Sequence, residues 1–260
     1  MGDSPAPQRP PEASDRAAIP VPPPARVLVT GATGFVGRHV LQELLGRGYR
    51  VRCLVRPGSE PKLTPQAAVT PVTGDITEGE GVRRAAAGCQ AAIHLVGIIV
   101  ESGGARYETV HGQGTRNVLA ACVAQGVRRL VHLSALGARA ATASPYLRSK
   151  WEAEEAVRRS SLAYTILRPS LIHGPGGAFT QMLVRLVRAP GLMPVVASGE
   201  GVLQPVAVQE IAWLAVQALL LPRTAGHTYD VGGAEICTLE DLLQAVSRVV
   251  KGRERRVIRV

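Results

Sequence analysis

Two residues four apart could move protons. In Tyr146-Leu147-Arg148-Ser149-Lys150 the phenol and the ammonium share one face if the segment is helical. A nearby ammonium lowers a phenol's pKa, which lets a tyrosine act as acid or base near neutral pH. A second segment could hold phosphate. Thr30-Gly31-Ala32-Thr33-Gly34-Phe35-Val36-Gly37 follows the apolar run 27–30 and opens a pattern with Val36, Val40, Leu41 and Leu44 at helical spacing. Glycines permit a tight turn and close backbone approach, and a helix N-terminus supplies free N–H groups and the positive end of a dipole. Each signal also has a plain reading: a structural glycine turn, and an exposed Tyr and Lys on a surface helix.

Positioning these residues takes a particular order of elements. Short apolar runs at 50–55, 69–72, 91–97, 130–134 and 164–167 read as strands, and amphipathic runs at 35–45, 109–125 and 149–159 read as helices. That is the β-α-β rhythm of an α/β fold with a parallel, doubly wound sheet. After Ser170 the rhythm loosens. Helices are expected at 181–187 and 211–221, and Thr238-Leu239-Glu240-Asp241 reads as a capping box opening a last helix with Leu239, Leu242, Leu243, Val246 and Val250 on one face. Residues 1–25 hold eight prolines and no apolar periodicity, and are expected to be a disordered tail. The organisation expected is therefore this tail, a nucleotide-binding domain over 26–170 and a mixed substrate lobe over 171–260. The ending Val257-Ile258-Arg259-Val260 reads like the start of another element, so part of that lobe is expected to be short or absent.

The chain of 260 residues is 46% hydrophobic but only 3% aromatic, so its core must be built from aliphatic side chains. No apolar run reaches the ~18 residues of a membrane span. The net charge is +10, from 30 basic and 20 acidic residues. A basic surface suits phosphate-bearing ligands, nucleic acid or an anionic membrane face, and Arg richness also fits codon bias. Nucleic acid is disfavoured, because the basic residues are dispersed and aromatics for base stacking are scarce. Cys53, Cys89, Cys122 and Cys237 form no CxxC pair, and His39, His94, His132 and His227 show no ligand spacing. Neither a metal site nor a disulfide framework is expected, and a reduced, cytoplasmic setting fits.

In register, these motifs resemble the extended and atypical members of the short-chain dehydrogenase/reductase superfamily. The GxxGxxG spacing of Gly31, Gly34 and Gly37 is joined by Thr73-Gly74-Asp75, Gly114-Thr115-Arg116-Asn117-Val118-Leu119, the Tyr146/Lys150 motif, Leu167-Arg168-Pro169 and His173-Gly174-Pro175. The resemblance covers about 26–243 and implies a Rossmann sheet with a small C-terminal substrate lobe. It implies that Gly31, Thr33, Gly34, Phe35, Val36, Gly37 and Arg38 cradle a dinucleotide, with Asp75 and Ile76 near the adenine and Val96 and Gly97 at the end of the fourth strand. Tyr146 would be the acid/base and Lys150 both its partner and the anchor of the nicotinamide ribose. The second strand ends Cys53-Leu54-Val55-Arg56, with no carboxylate until Glu60. A carboxylate there would hold the ribose 2′-hydroxyl of NAD. Arg56, with Arg38, suits a 2′-phosphate instead. NADP(H) is expected over NAD(H), the alternative being two solvated arginines. Two departures stand out. Ser134 is the only hydroxyl just beyond the fifth strand, followed by Ala135 and Leu136, and His111 stands where the family often has Asn.

The strings Val131-His132-Leu133-Ser134-Ala135-Leu136-Gly137, Tyr146 through Glu154 and Arg168 through Pro175 resemble the atypical branch that contains the nucleotide-binding accessory subunit of respiratory complex I and its bacterial relatives. Two functions follow. One is an NADP(H)-dependent reductase, dehydrogenase or epimerase in which Tyr146 and Lys150 act on a small-molecule substrate and Ser134 polarises it. The other is a nucleotide-bound structural or assembly protein without turnover. Phe179, Met182, Leu183, Leu186, Leu192 and Met193 make the lobe apolar, which fits a hydrophobic substrate or a plain core. Arg248, Lys251, Arg253, Arg255, Arg256 and Arg259 crowd the C-terminus. They fit peripheral attachment to the inner membrane face or to a respiratory complex, or an ordinary solvated helix end.

Overall fold

A computed structural model describes residues 19–63, 65–191, 193–195 and 201–259. The larger part of the chain runs β1 Arg26–Thr30, α1 Phe35–Gly46, β2 Arg50–Val55, β3 Val69–Thr73, α2 Gly79–Ala86, β4 Ala91–His94, α3 Gly114–Ala124, β5 Arg129–Leu133, α4 Pro145–Arg159 and β6 Ala163–Pro169. It continues through β7 Ile172–His173, α5 Ala178–Arg188, β8 Met193–Val195, β9 Val202–Leu203, β10 Val206–Ala207, α6 Val208–Leu220, β11 His227–Val231, β12 Cys237–Thr238, α7 Leu239–Lys251 and β13 Val257–Arg259. A seven-stranded sheet has the order β11-β6-β5-β4-β1-β2-β3, with every pairing parallel.

Helices cover both faces, which is why the central strands read as unbroken apolar runs rather than alternating ones. Successive side chains of a strand point to opposite faces. Val27 and Val29 of β1 accordingly join one core with Val40 and Leu44 of α1 and Ile211 and Val216 of α6. Leu28, between them, joins a second core with Val82 of α2, Val118 of α3 and Val157 of α4. The doubly wound α/β sheet is the one expected.

The differences have physical causes. Residues 19–25 are not tail. Val21 is buried, its amide bonds the Leu219 carbonyl at 2.9 Å, and the buried Tyr49 hydroxyl donates to the Val21 carbonyl at 2.7 Å. The rest of the proline-rich segment lies outside the described residues. Residues 227–231 return to the sheet as an edge strand, so the sheet draws on both sides of the expected boundary at 170. Its sequence, His-Thr-Tyr-Asp-Val, is polar and half exposed because an edge strand needs no second apolar face. The α2 helix carries Gly79 and Gly81, which hides it from propensity. Gly81 is there because the chain crosses Gly74 closely: a Cβ on either would lie 2.8 Å from the other's Cα. The helix read at 149–159 starts at Pro145, capped by Ser144, whose hydroxyl accepts from the Leu147 amide at 3.3 Å. The fourth strand stops at His94, and the helix read at 109–125 begins with a π-helical turn, Glu108–Gln113.

The smaller lobe is held by Leu183 and Val187 of α5, Met193 and Leu243 of α7. Leu192 lies outside the described residues. In the basic C-terminus, Arg255 is used internally. It donates to the Val187 carbonyl at 2.5 Å and to the Gly191 carbonyl, tying off the end of α5. Arg248 pairs with Glu254 at 2.5 Å. No helix among the described residues is long and apolar enough to cross a membrane.

Candidate active site

The glycine loop joins β1 to α1. Gly31 has φ +80, a conformation other residues rarely take, and a Cβ there would also press the Val96 amide at 3.2 Å. A Cβ on Gly37 would fall on the Gly31 carbonyl and lie 2.7 Å from the Ala32 Cα. Gly34 differs: a Cβ there meets only the Gly31 carbonyl oxygen, 3.2 Å away, and otherwise open space. The α1 N-terminus has no side-chain cap and no acidic residue in its first turn. Its amides are thus available to an anion. The loop lines a cleft of about 850 Å³ together with Tyr146, Lys150 and Gly97. Uncapped amides and open space at Gly34 fit the diphosphate of a dinucleotide.

Tyr146 and Lys150 lie in the first turns of α4. The Lys150 ammonium is buried and donates to the Leu133 carbonyl at 2.7 Å. Burial pushes its pKa down to about 8, with Glu154 acting the other way. The Tyr146 phenol is pushed up, first by burial and then by Tyr107. This corrects the expectation that the ammonium lowers it. Tyr146 therefore holds its proton near neutral pH and is set up as a donor. The Tyr107 and His111 rings stand 6.0 and 5.9 Å from the Tyr146 ring, and the Tyr107 hydroxyl donates to the Ile99 carbonyl at 2.6 Å.

His111, noted in the sequence only as a departure, organises this corner from the π-helical turn. Its Nε2 accepts from the Ile98 amide at 2.9 Å, so the ring proton sits on Nδ1, which donates to Ser149 Oγ at 2.8 Å. Ser149 in turn donates to the Tyr146 carbonyl at 2.7 Å. Burial, then Lys150, lowers the His111 pKa to about 3, so the ring is neutral. Gly97 must be small here, since a Cβ would stand 3.2 Å from His111 Nε2.

Ser134 lines the cleft, but its hydroxyl donates to the fully buried Glu154 at 2.5 Å. The expected role as substrate polariser is corrected accordingly: its proton is committed to a carboxylate. Arg168 binds Glu154 with two nitrogens, at 2.8 and 2.7 Å, and Arg158 binds it at 2.6 Å. Burial raises the Glu154 pKa, and the hydrogen bonds from Arg168, Ser134 and Arg158 outweigh it, leaving it lowered. Sequence reasoning misses this cluster. A signal exists: Tyr146, Lys150 and Glu154 fall at i, i+4 and i+8, one stripe of α4.

Thr33, Asp75, Ile76 and Val96, also expected at the cofactor, are not among the residues that line the cleft. Asp75 accepts from the Thr77 amide and hydroxyl at 2.8 and 2.7 Å, shaping the turn after β3. Ile76 is buried against Gly114, and Asn117 donates to its carbonyl at 3.0 Å. Val96 packs on the second core, and Thr33 lies half-buried in the loop. Arg38 is exposed beside Gly176, and Arg56 is exposed just past the end of β2; neither lines the cleft. No group of metal-ligating side chains occurs among the described residues.

Residues 31–183 match the family model described as NAD(P)H-binding. A ceramide reductase of Caulobacter vibrioides is 35% identical over 171 residues, 66% of this chain and 54% of that protein. The mitochondrial NADH dehydrogenase [ubiquinone] 1 alpha subcomplex subunit 9 of Arabidopsis thaliana is 29% identical over 231 residues, 86% of this chain and 57% of that one. The chain thus spans little more than half the length of these relatives. Among solved structures, the UDP-glucose 4-epimerase of Thermus thermophilus in complex with NAD superposes with a TM-score of 0.73 at 25% identity, over 90% of this chain and 85% of that one.

Proposed function

The chain belongs to the NAD(P)H-binding, epimerase/dehydratase-like branch of the short-chain dehydrogenases/reductases, and from that premise we propose that it is an NAD(P)H-dependent oxidoreductase whose Tyr146 hands a proton to a substrate carbonyl. The observation that carries this reading is the Tyr146 phenol on the wall of the cleft that the glycine loop opens, one helical turn from Lys150 on the same wall. A bound nicotinamide supplies the hydride. Tyr146 supplies the proton. Lys150, held on Leu133, offers its remaining N–H groups to ribose hydroxyls. His111 and Ser149 fix the Tyr146 backbone relative to the Gly97-Ile98 segment. Arg56 and Arg38, with no carboxylate at the end of β2, support NADP(H) over NAD(H).

A second reading, a nucleotide-bound structural protein, draws on one observation. Ser134 is committed to Glu154, and Ala135 and Leu136 bring no hydroxyl to the cleft. The two separate in one experiment. Purified full chain is tested for NADPH oxidation against a panel of ketones, beside Tyr146→Phe. The oxidoreductase reading expects turnover that falls by about a hundredfold or more in the variant, with cofactor affinity within about twofold. Tight cofactor binding with no ketone reduced, or turnover untouched in Tyr146→Phe, overturns it.

A further inference from the structure

We infer that the substrate is a large apolar ketone, a lipid-like molecule whose hydrocarbon lies along an aliphatic wall formed by Ile99, Leu136, Val202 and Ile236. This rests on the oxidoreductase reading and names the substrate class of the same site. The chain has 30 basic residues, yet among the described residues lining the cleft Lys150 alone is charged, and it is buried on Leu133. With the α1 amides taken by the cofactor's diphosphate, a nucleotide-sugar substrate brings two further phosphates that call for donors or cations of their own. The described lining offers none beyond the lysine next to Tyr146. Polar side chains there are few and mostly engaged: Ser134 donates to Glu154, and Gln204 donates to the Gly233 carbonyl at 2.7 Å.

The apolar wall faces water. Ile99 is 75% exposed, Val202 and Ile236 68% each and Leu136 43%, while all four line the one concave surface. Single exposed aliphatics are ordinary on a protein surface; four around one cavity mark a site that an apolar ligand covers. The wall is not a fraying tip. β9 pairs with β12 through Leu203 with Cys237 and Val202 with Thr238, directly after Ile236. Gly233 sits so close to Pro205 that a Cβ would overlap its carbonyl. Thr238 then caps α7, its hydroxyl accepting from the Asp241 amide at 3.1 Å. A pre-formed apolar wall needs little reordering to bind. The reaction balances as one ketone plus one reduced nicotinamide and one proton. The carbonyl carbon gains the hydride, its oxygen gains the Tyr146 proton, and the secondary alcohol and oxidised cofactor leave; the phenolate is reprotonated from water.

The test uses the full chain saturated with NADPH and the neutral fluorescent probe Nile red, displaced by methyl ketones of increasing chain length. Affinity should rise roughly three- to fourfold per methylene until the wall is covered. UDP-glucose should neither displace the probe nor bind. The double variant Val202→Asp/Ile236→Asp should weaken the long ketone by about tenfold or more with cofactor affinity unchanged. Ile99→Asp, on a different loop, should act in the same direction should the double variant fail to fold. Affinity flat with chain length, or UDP-glucose binding more tightly than the long ketones, overturns the inference. If short polar ketones turn over in a Tyr146-dependent way and the long ones do not, this inference fails while the oxidoreductase reading stands. If long ketones bind as described and no Tyr146-dependent oxidation of NADPH occurs, the apolar site stands and the oxidoreductase reading fails.

Discussion

The Lys150 ammonium, one helical turn beyond Tyr146, ends on the Leu133 carbonyl at 2.7 Å, inside the protein rather than at its surface. The same bond that aims the amine at the cleft keeps it out of water, and burial lowers its pKa from 10.5 to about 8.

That has a stability consequence. Between about 8 and 10.5 the unfolded chain binds a proton that the folded chain releases, so stability rises with pH through this window. At neutral pH the folded state carries a desolvated charge. Lys150→Met should remove that cost while losing the bond to Leu133. We expect a net gain of about 1–3 kcal/mol in denaturant unfolding near neutral pH, shrinking as pH rises through the same window, together with loss of cofactor-dependent turnover. A variant less stable than the parent near neutral pH would show that the buried charge is well compensated.

Among the described residues His132 has no hydrogen-bond partner on either ring nitrogen, though it lies 5.1 Å from the His94 ring. Burial, then Lys150, holds its pKa well below 6.5. The unfolded chain protonates this residue below about 6.5 and the folded chain does not, so stability is lost as pH falls through that value. His132→Leu is close in volume and removes two unsatisfied polar atoms. It should stabilise by about 1–3 kcal/mol and flatten the acid limb of stability against pH by about 1.4 kcal/mol per pH unit, one proton's worth. An unchanged acid limb would mean that His132 is protonated in the folded state.

The glycine loop separates folding from binding. Gly37→Ala collides with fixed backbone at Gly31 and Ala32 and should destabilise by about 1–3 kcal/mol or more. Gly34 has φ −77 and an added Cβ meets only the Gly31 carbonyl oxygen, at 3.2 Å, so Gly34→Val should cost less stability than Gly37→Ala while its side chain stands where the diphosphate approaches. Thermal melts and dinucleotide titration measure the two effects. Parent-like affinity in Gly34→Val would remove this loop from the cofactor site.

What is legible in the sequence is what local chemistry dictates. Gly31 is glycine through its own positive φ and Gly37 through the loop backbone folded against it, and Tyr146 and Lys150 share a face because of helical spacing alone. What escapes depends on distant partners. Glu154 looks like any exposed glutamate until β5 brings Ser134 and β6 brings Arg168 to it. β11 is polar because it is an edge, so no apolar run announces it. Val21 becomes core only through Tyr49 and Leu219, far along the chain. Tyr146 misleads for a related reason: spacing brings the lysine near, but depth in the fold, which spacing does not carry, decides the direction of its pKa.

His111 brings the last prediction. It bridges the Ile98 amide, at the exit of β4, to Ser149 on α4, and so sets the Gly97 edge of the cleft against Tyr146. It touches no reacting atom in this arrangement, and its effect runs through the two elements it joins. His111→Leu keeps the volume but leaves the Ile98 amide without its acceptor and Ser149 without a donor. The cost should be about 1–3 kcal/mol of stability. A purely structural role would end there. A positioning role adds a fall of about tenfold or more in kcat with KM for the ketone little changed, because Tyr146 loses its alignment while the apolar wall is untouched. His111→Gln restores one acceptor and one donor and should recover most of both losses. Equal kcat in the Leu variant, at a temperature where it is fully folded, would reduce His111 to a packing residue.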